Sequence, residues 1–252
     1  MEIGRTWNLY ERGGIYRCSN HKEQVYVWRI RYKTVLGEGN VMAIYEIPQD
    51  SKAWIKKELG KKYSADKAKE KYQEIIEIYE KFSNDVPSIG GKDNPMSKNF
   101  YGALSAFAYY EFMDRNMSSD EITDMCFGMM IGNKKGGQLS RFNLNNKLVR
   151  KIFHTLFRLR AKKLNRHKKD GSWNNTWGME VNPLNHKEGI SIHLVGCPIA
   201  DFAKKNGYSE LMPYFCETDK AVIEHFGGTL YREHTVADGY EDCDYWIKNK
   251  GE

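Results

Sequence analysis

The stretch that decides the fold is residues 189–208, GISIHLVGCPIADFAKKNGY. Its first seven residues are a short β-branched run, and its second half is a lysine-bearing helical pattern. Between them stand Cys197 and Pro198. Proline suits the first helical position, because its missing N–H would have no intrahelical partner there. Cys197 is therefore expected to be the N-cap of a helix over 198–206, at the positive end of the helix dipole. There a thiol pKa is expected to fall.

Reading outward from this junction, more short strands are expected at 176–182 (TWGMEVN), 229–236 (TLYREHTV) and 242–248 (DCDYWIK). A helix at 209–226 ends at Gly227-Gly228, and Asp238-Gly239 marks the turn of a closing hairpin. Towards the N-terminus, helices are expected at 51–59 and at 64–83, where Tyr72, Ile75, Ile76, Tyr79 and Phe82 form a stripe. Residues 99–116 are apolar nearly all round and read as a buried helix. Ser118 and Glu121 form a capping box for a helix at 119–131. Residues 15–47 look β-rich, with EQVYVWRIRYKTV alternating before GEGN. The expected fold class is α+β, with helices on one side of a largely antiparallel C-terminal sheet. Residues 1–50 are expected to form a β-rich extension, and 51–252 the α+β domain.

The net charge of +6 belongs to one segment. Residues 141–169 hold 11 Lys and Arg and no Asp or Glu, which leaves 28 basic and 33 acidic residues elsewhere, a net of −5. Leu148, Ile152, Leu156 and Leu159 lie on one side of this basic helix. They are read as the one apolar stripe of a solvated amphipathic helix, without the interleaved aromatics of a nucleic-acid platform. No apolar stretch nears the ~20 residues that span a bilayer, and charges at Glu2, Arg5, Glu11 and Arg12 oppose a signal peptide. Five scattered cysteines with no C-x-x-C pair do not form a disulfide framework. A cytoplasmic chain with free thiols is expected. Walker A, G-x-G-x-x-G, H-E-x-x-H and G-x-S-x-G patterns are absent from the sequence, which weakens several large enzyme classes.

The residues left to carry chemistry cluster near the C-terminus. Cys216 and Asp219 are spaced i, i+3 and share a helix face, which His225 does not. Strand alternation puts Cys243, Tyr245 and Ile247 on one face and Asp244 and Trp246 on the other. Arg232 and His234 are expected to share a face across the hairpin, with Arg232 able to pair with an aspartate or grip a carboxylate. Cys197, Cys216 and Cys243, with His193, could instead gather round zinc, although spacings of 19 and 27 match no short zinc motif.

Three stretches, 86–104, 186–219 and 226–247, together resemble the bacterial L-2-amino-thiazoline-4-carboxylic acid hydrolase family. They carry Cys197-Pro198, Cys216-x-x-Asp219, Arg232, Gly239 and Cys243-Asp244-Tyr245 in the family's order. The sequence departs from the pattern at Tyr245, where Phe is expected, and at His234, where a small or neutral residue is usual. The resemblance implies hydrolytic opening of a small cyclic amidine-like ring bearing a carboxylate. A cysteine thiolate would add to the C=N carbon, Asp219 or Asp244 would move protons, and Arg232, with Cys216 and His234, would bind substrate. The family motif favours Cys243 as nucleophile and the helix dipole favours Cys197, so both stand. The α+β pocket closed by a Gly-x-x-x-Cys hairpin also resembles vinyl-reductase-type ligand-binding domains, which would make the chain a sensor. The expected partner is a carboxylate-bearing small molecule, with no nucleic acid, membrane, metal or organic cofactor. A homo-oligomer is allowed.

Overall fold

Residues 100–110 are apolar nearly all round, and the helix that holds them is the axis of the N-terminal helices. A computed structural model of the chain describes residues 46–131, 143–144 and 146–249. The expected β-rich pattern at 15–47 lies outside them, apart from its last two residues. Helix α1 spans Gln49–Lys62, α2 Ala65–Asn84, α3 Ser97–Phe112 and α4 Ser119–Met130. Every residue of α3 from Phe100 to Tyr110 is buried, which explains why no polar face shows in its sequence. Trp54 of α1 packs edge-on against Tyr109, and its indole N–H donates to Asp124 Oδ2 at 3.2 Å. The capping box of α4 forms as expected. Glu121 N donates to Ser118 Oγ at 3.3 Å, and Ser118 N donates to Glu121 Oε2 at 2.8 Å.

Helix α5, Lys147–Lys169, lies against the sheet and starts at Asn146, whose Oδ1 accepts from Leu148 N at 2.8 Å. Its inward stripe is Phe153, Phe157, Ala161 and Leu164. This corrects the expectation: Leu148, Ile152, Leu156 and Leu159 face solvent. Both rows have helical spacing, so periodicity alone cannot say which one meets the sheet.

The four strands are β1 (Gly178–Val181), β2 (Ile190–Val195), β3 (Gly228–Tyr231) and β4 (Asp242–Asn249), in the order β1-β2-β4-β3. All three pairings are antiparallel. In the central pair Leu194 faces Cys243, His193 faces Asp244 and Ile192 faces Tyr245. One sheet face, with Ile190, Ile192, Cys243, Tyr245 and Ile247, packs with Ile223 and the inward aromatics of α5. The other carries His193, Asp242, Asp244 and Trp246, half-buried. Helix α6 (Pro198–Asn206) follows β2, and a single 3-10 turn leads into α7 (Met212–His225). The α+β class with one antiparallel sheet is as the sequence implied.

Strand β3 stops earlier than expected. After Tyr231 the chain leaves the ladder, and Thr235 Oγ1 accepts from Ala237 N and Asp238 N at 3.1 and 3.3 Å to cap a short turn. Gly239 then takes φ +92°, which a side chain rarely adopts, and returns the chain to β4. Arg232 and His234 therefore sit in a loop rather than on a strand face.

Candidate active site

Cys197, Cys216, Asp219, Arg232 and Cys243 come from four different elements, and the fold brings them together on the helix-facing side of the sheet. Cys243 and Tyr245 reach it from β4, because alternate residues share a face. Cys216 and Asp219 reach it from one face of α7, and Cys197 from the N-cap of α6. Arg232 folds in from the loop after β3. Its Nη2 donates to the Cys216 carbonyl at 3.2 Å, and its guanidinium lies 5.6 Å from the Tyr245 ring centre.

The two thiols of Cys216 and Cys243 form the centre. The Cys216 S–H donates to the Cys243 sulfur, which also accepts from Val236 N at 3.4 Å. Donation from Cys216 holds the Cys243 thiol below its ordinary value; burial opposes it, and the Val236 amide and the Arg232 charge reinforce it. Cys216 is driven the other way, first by that same bond and then by burial. Of the two sulfurs, Cys243 is therefore the one more readily deprotonated and Cys216 the one that keeps its proton.

Cys197 departs from expectation. It is the N-cap, with Pro198 following it at the first helical position, and its sulfur faces the amides of the first turn. Burial pushes its thiol up to about 12, although the amides of Ala200 and Ile199 and the Trp177 indole pull it down. Desolvation outweighs the helix dipole here, because the dipole supplies only partial charge.

Asp219 keeps 41% of its side chain exposed, yet the protein packed about its carboxyl raises it above the usual carboxylate range. Tyr245 OH, donating to Oδ2 at 2.8 Å, and Arg232 pull against that rise. Arg232 is 11% exposed, and its Nη1 lies 3.7 Å from Asp219 Oδ2 without a hydrogen bond among the described residues. A buried guanidinium N–H with no acceptor is costly, and an anionic ligand would satisfy it. Arg232, Glu217, Lys220, Leu230 and His234 line a cleft of about 250 Å³. Cys243 does not line it, being 5% exposed beneath the Val236 amide.

Asp244 projects from the other face of the sheet, and His234, at the rim of the Arg232 cleft, turns its ring towards Asp242. Asp244 accepts from Glu233 N at 3.1 Å and from His234 N at 2.9 Å. His234 Nε2 and His193 Nδ1 each lie 2.8 Å from Asp242, on separate carboxylate oxygens. This group fastens the loop that carries Arg232 and does not meet the thiols. His193 is consequently not placed beside the three sulfurs, and no group of three His, Cys, Asp or Glu suited to a metal occurs among the described residues.

Sequence reasoning missed Tyr245 and Trp177 as parts of the site. The alternation of β4 put Tyr245 on the Cys243 face, which was the available signal; nothing local marked Trp177.

The family model of L-2-amino-thiazoline-4-carboxylic acid hydrolase matches residues 96–247, more than half of the chain. The chain belongs to that family. No curated protein and no solved structure matches it. Within this hydrolase family member the matched span runs from the residue before α3 into β4, so it holds every residue of the thiol cluster, while α1 and α2 precede it. No helix among the described residues is long and apolar enough to cross a membrane.

Proposed function

We propose that this family member is a thiol-dependent hydrolase that opens a small cyclic amidine-like ring bearing a carboxylate, of the aminothiazoline carboxylate type, with Cys243 as nucleophile. The observation that supports this best is the pairing of a donor thiol on α7 with an acceptor sulfur on β4 beside a guanidinium with a free N–H. The thiolate, the attacking form, is the state that this arrangement favours at Cys243.

The steps use groups of this cluster and require the Val236 loop to shift, so that a ring held at Arg232 reaches the Cys243 sulfur. Arg232 Nη1 takes the substrate carboxylate. Cys243 Sγ bonds to the C=N carbon, and Asp219, whose proton its surroundings favour, gives that proton to the ring nitrogen. The nitrogen lone pair then restores the C=N bond and expels the ring heteroatom, which takes the proton of Cys216. Water adds to the same carbon as Asp219 takes its proton. Expulsion of Cys243, with the last proton returning to Cys216, leaves an opened ring carrying a new carbonyl. One water is consumed and every enzyme group is restored. Asp244 acts as a positioning residue through the loop it holds.

The test is turnover of L-2-amino-thiazoline-4-carboxylate, followed as thiol release. Wild-type protein is expected to turn over, Cys243→Ala to lose about a thousandfold or more, and Cys197→Ala to keep activity. Full activity in Cys243→Ala would overturn the assignment. Ligand bound and recovered intact would make the chain a sensor instead.

A further inference from the structure

Helix α5 faces solvent with a row of large apolar side chains. Leu148 is 66% and Leu159 61% exposed, with Ile152 and Leu156 between them at 45% and 46%. At about 100° per residue these four cover one narrow arc, opposite the Phe153, Phe157 and Leu164 stripe that meets the sheet. Lys147, Lys151, Arg158 and Lys162 flank the row, all exposed. None of these four reaches a carboxylate at ion-pair distance among the described residues. Over its whole length α5 carries ten Lys and Arg and no Asp or Glu.

Charge decides what can cover this face. Residues 1–45 carry seven Lys and Arg against four Asp and Glu, and residues 132–142 carry three basic residues and no acidic one. Neither offers net negative charge to the helix. A second copy bringing its own α5 would oppose ten positive charges with ten more. A second copy offering its acidic cleft of Glu74, Glu77, Glu111 and Asp114 would make a head-to-tail contact, which need not close and risks open filaments. The pattern that fits is an apolar row bordered by basic side chains on a helix held flat by its inner face. That is the arrangement by which a helix lies in the interface of an anionic bilayer.

We propose that the outer face of α5 docks the protein on an anionic lipid surface. Leu148, Ile152, Leu156 and Leu159 enter the headgroup–acyl boundary while the flanking cations meet lipid phosphates. This face is distinct from the thiol cluster, and the proposal stands whether or not Cys243 is the nucleophile. Co-sedimentation of the full chain with phosphatidylglycerol and with phosphatidylcholine vesicles, at low and high salt, tests it. Wild-type protein is expected to pellet with phosphatidylglycerol alone and to release as salt rises. Leu156→Gln/Leu159→Gln and Lys151→Glu/Arg158→Glu are each expected to weaken binding about tenfold or more, with circular dichroism and thermal midpoint unchanged. Absence of pelleting with phosphatidylglycerol at low salt overturns the proposal, as does equal binding by both double variants. Three outcomes in the absence of vesicle binding identify other occupants and equally refute it: self-association lost in Leu156→Gln/Leu159→Gln, a lowered thermal midpoint in that variant, or binding to duplex DNA.

Discussion

Cys243 owes its acidity to a neighbour 27 positions away, and this gives a residue-level prediction with a definite sign. Its thiol lies below the ordinary 9.0, chiefly because Cys216 donates to it. Thiolate formation, and with it turnover, should rise with pH through a midpoint below that value. Cys216→Ala removes the largest lowering influence, so the midpoint should move upward, as read by thiolate ultraviolet absorbance or by alkylation rate against pH. An unmoved midpoint would show that Cys216 is a bystander. Arg232→Lys keeps the charge but loses the planar fork. It should raise KM about tenfold while leaving kcat within a few fold, and a kcat loss with unchanged KM would place Arg232 elsewhere in the cycle. At this scale the sequence was partly informative. The i, i+3 spacing of Cys216 and Asp219 and the alternation of β4 put the right side chains on the right faces. The thiol chemistry was not legible, since the burial that drives Cys197 up and the bond that holds Cys243 down are both tertiary.

Elements were legible where one local rule governed them. The capping box fixed the start of α4, Pro198 fixed the start of α6, and the all-round apolarity of α3 foretold its central place. Two features escaped. The alternation of TLYREHTV runs past Tyr231, but Asp244 takes the Glu233 and His234 amides with its carboxylate, so the ladder ends there. In α5 two apolar rows compete, and only the shape of the sheet selects the aromatic one. Asp244→Ala should therefore free the loop that carries Arg232 and Val236, lower turnover and move the Cys243 thiol titration upward, since both groups help to hold it down. Asp244→Asn, which keeps an acceptor, should rescue part of the loss. An element-level stability prediction concerns Gly128 in α4, where the Trp54 indole occupies the space a Cβ would take. Ala gains about 1 kcal/mol of helix propensity over Gly, yet overpacking of this kind costs about 1–3 kcal/mol. Gly128→Ala should lower the urea midpoint, and a raised midpoint would mean that Trp54 yields at no cost.

In the whole molecule, the sheet acts as a partition. Thiols, Asp219 and Arg232 lie on its helix side, Asp242, Asp244 and His193 on the other, and His234 at the rim between them. The order of the family motifs along the chain singled out these cysteines and aspartates, but not that a sheet would set Asp219 and Asp244 on opposite sides. Because His193 is spent on Asp242, turnover should survive dialysis against a strong chelator, checked by metal analysis alongside activity. The central claim is a covalent bond to one sulfur, and its most direct test is acid-quenched turnover of L-2-amino-thiazoline-4-carboxylate followed by peptide mass spectrometry. The account predicts a substrate-derived adduct on Cys243, absent in Cys243→Ala; an adduct on Cys197 alone, or turnover with no adduct on any cysteine, would contradict it.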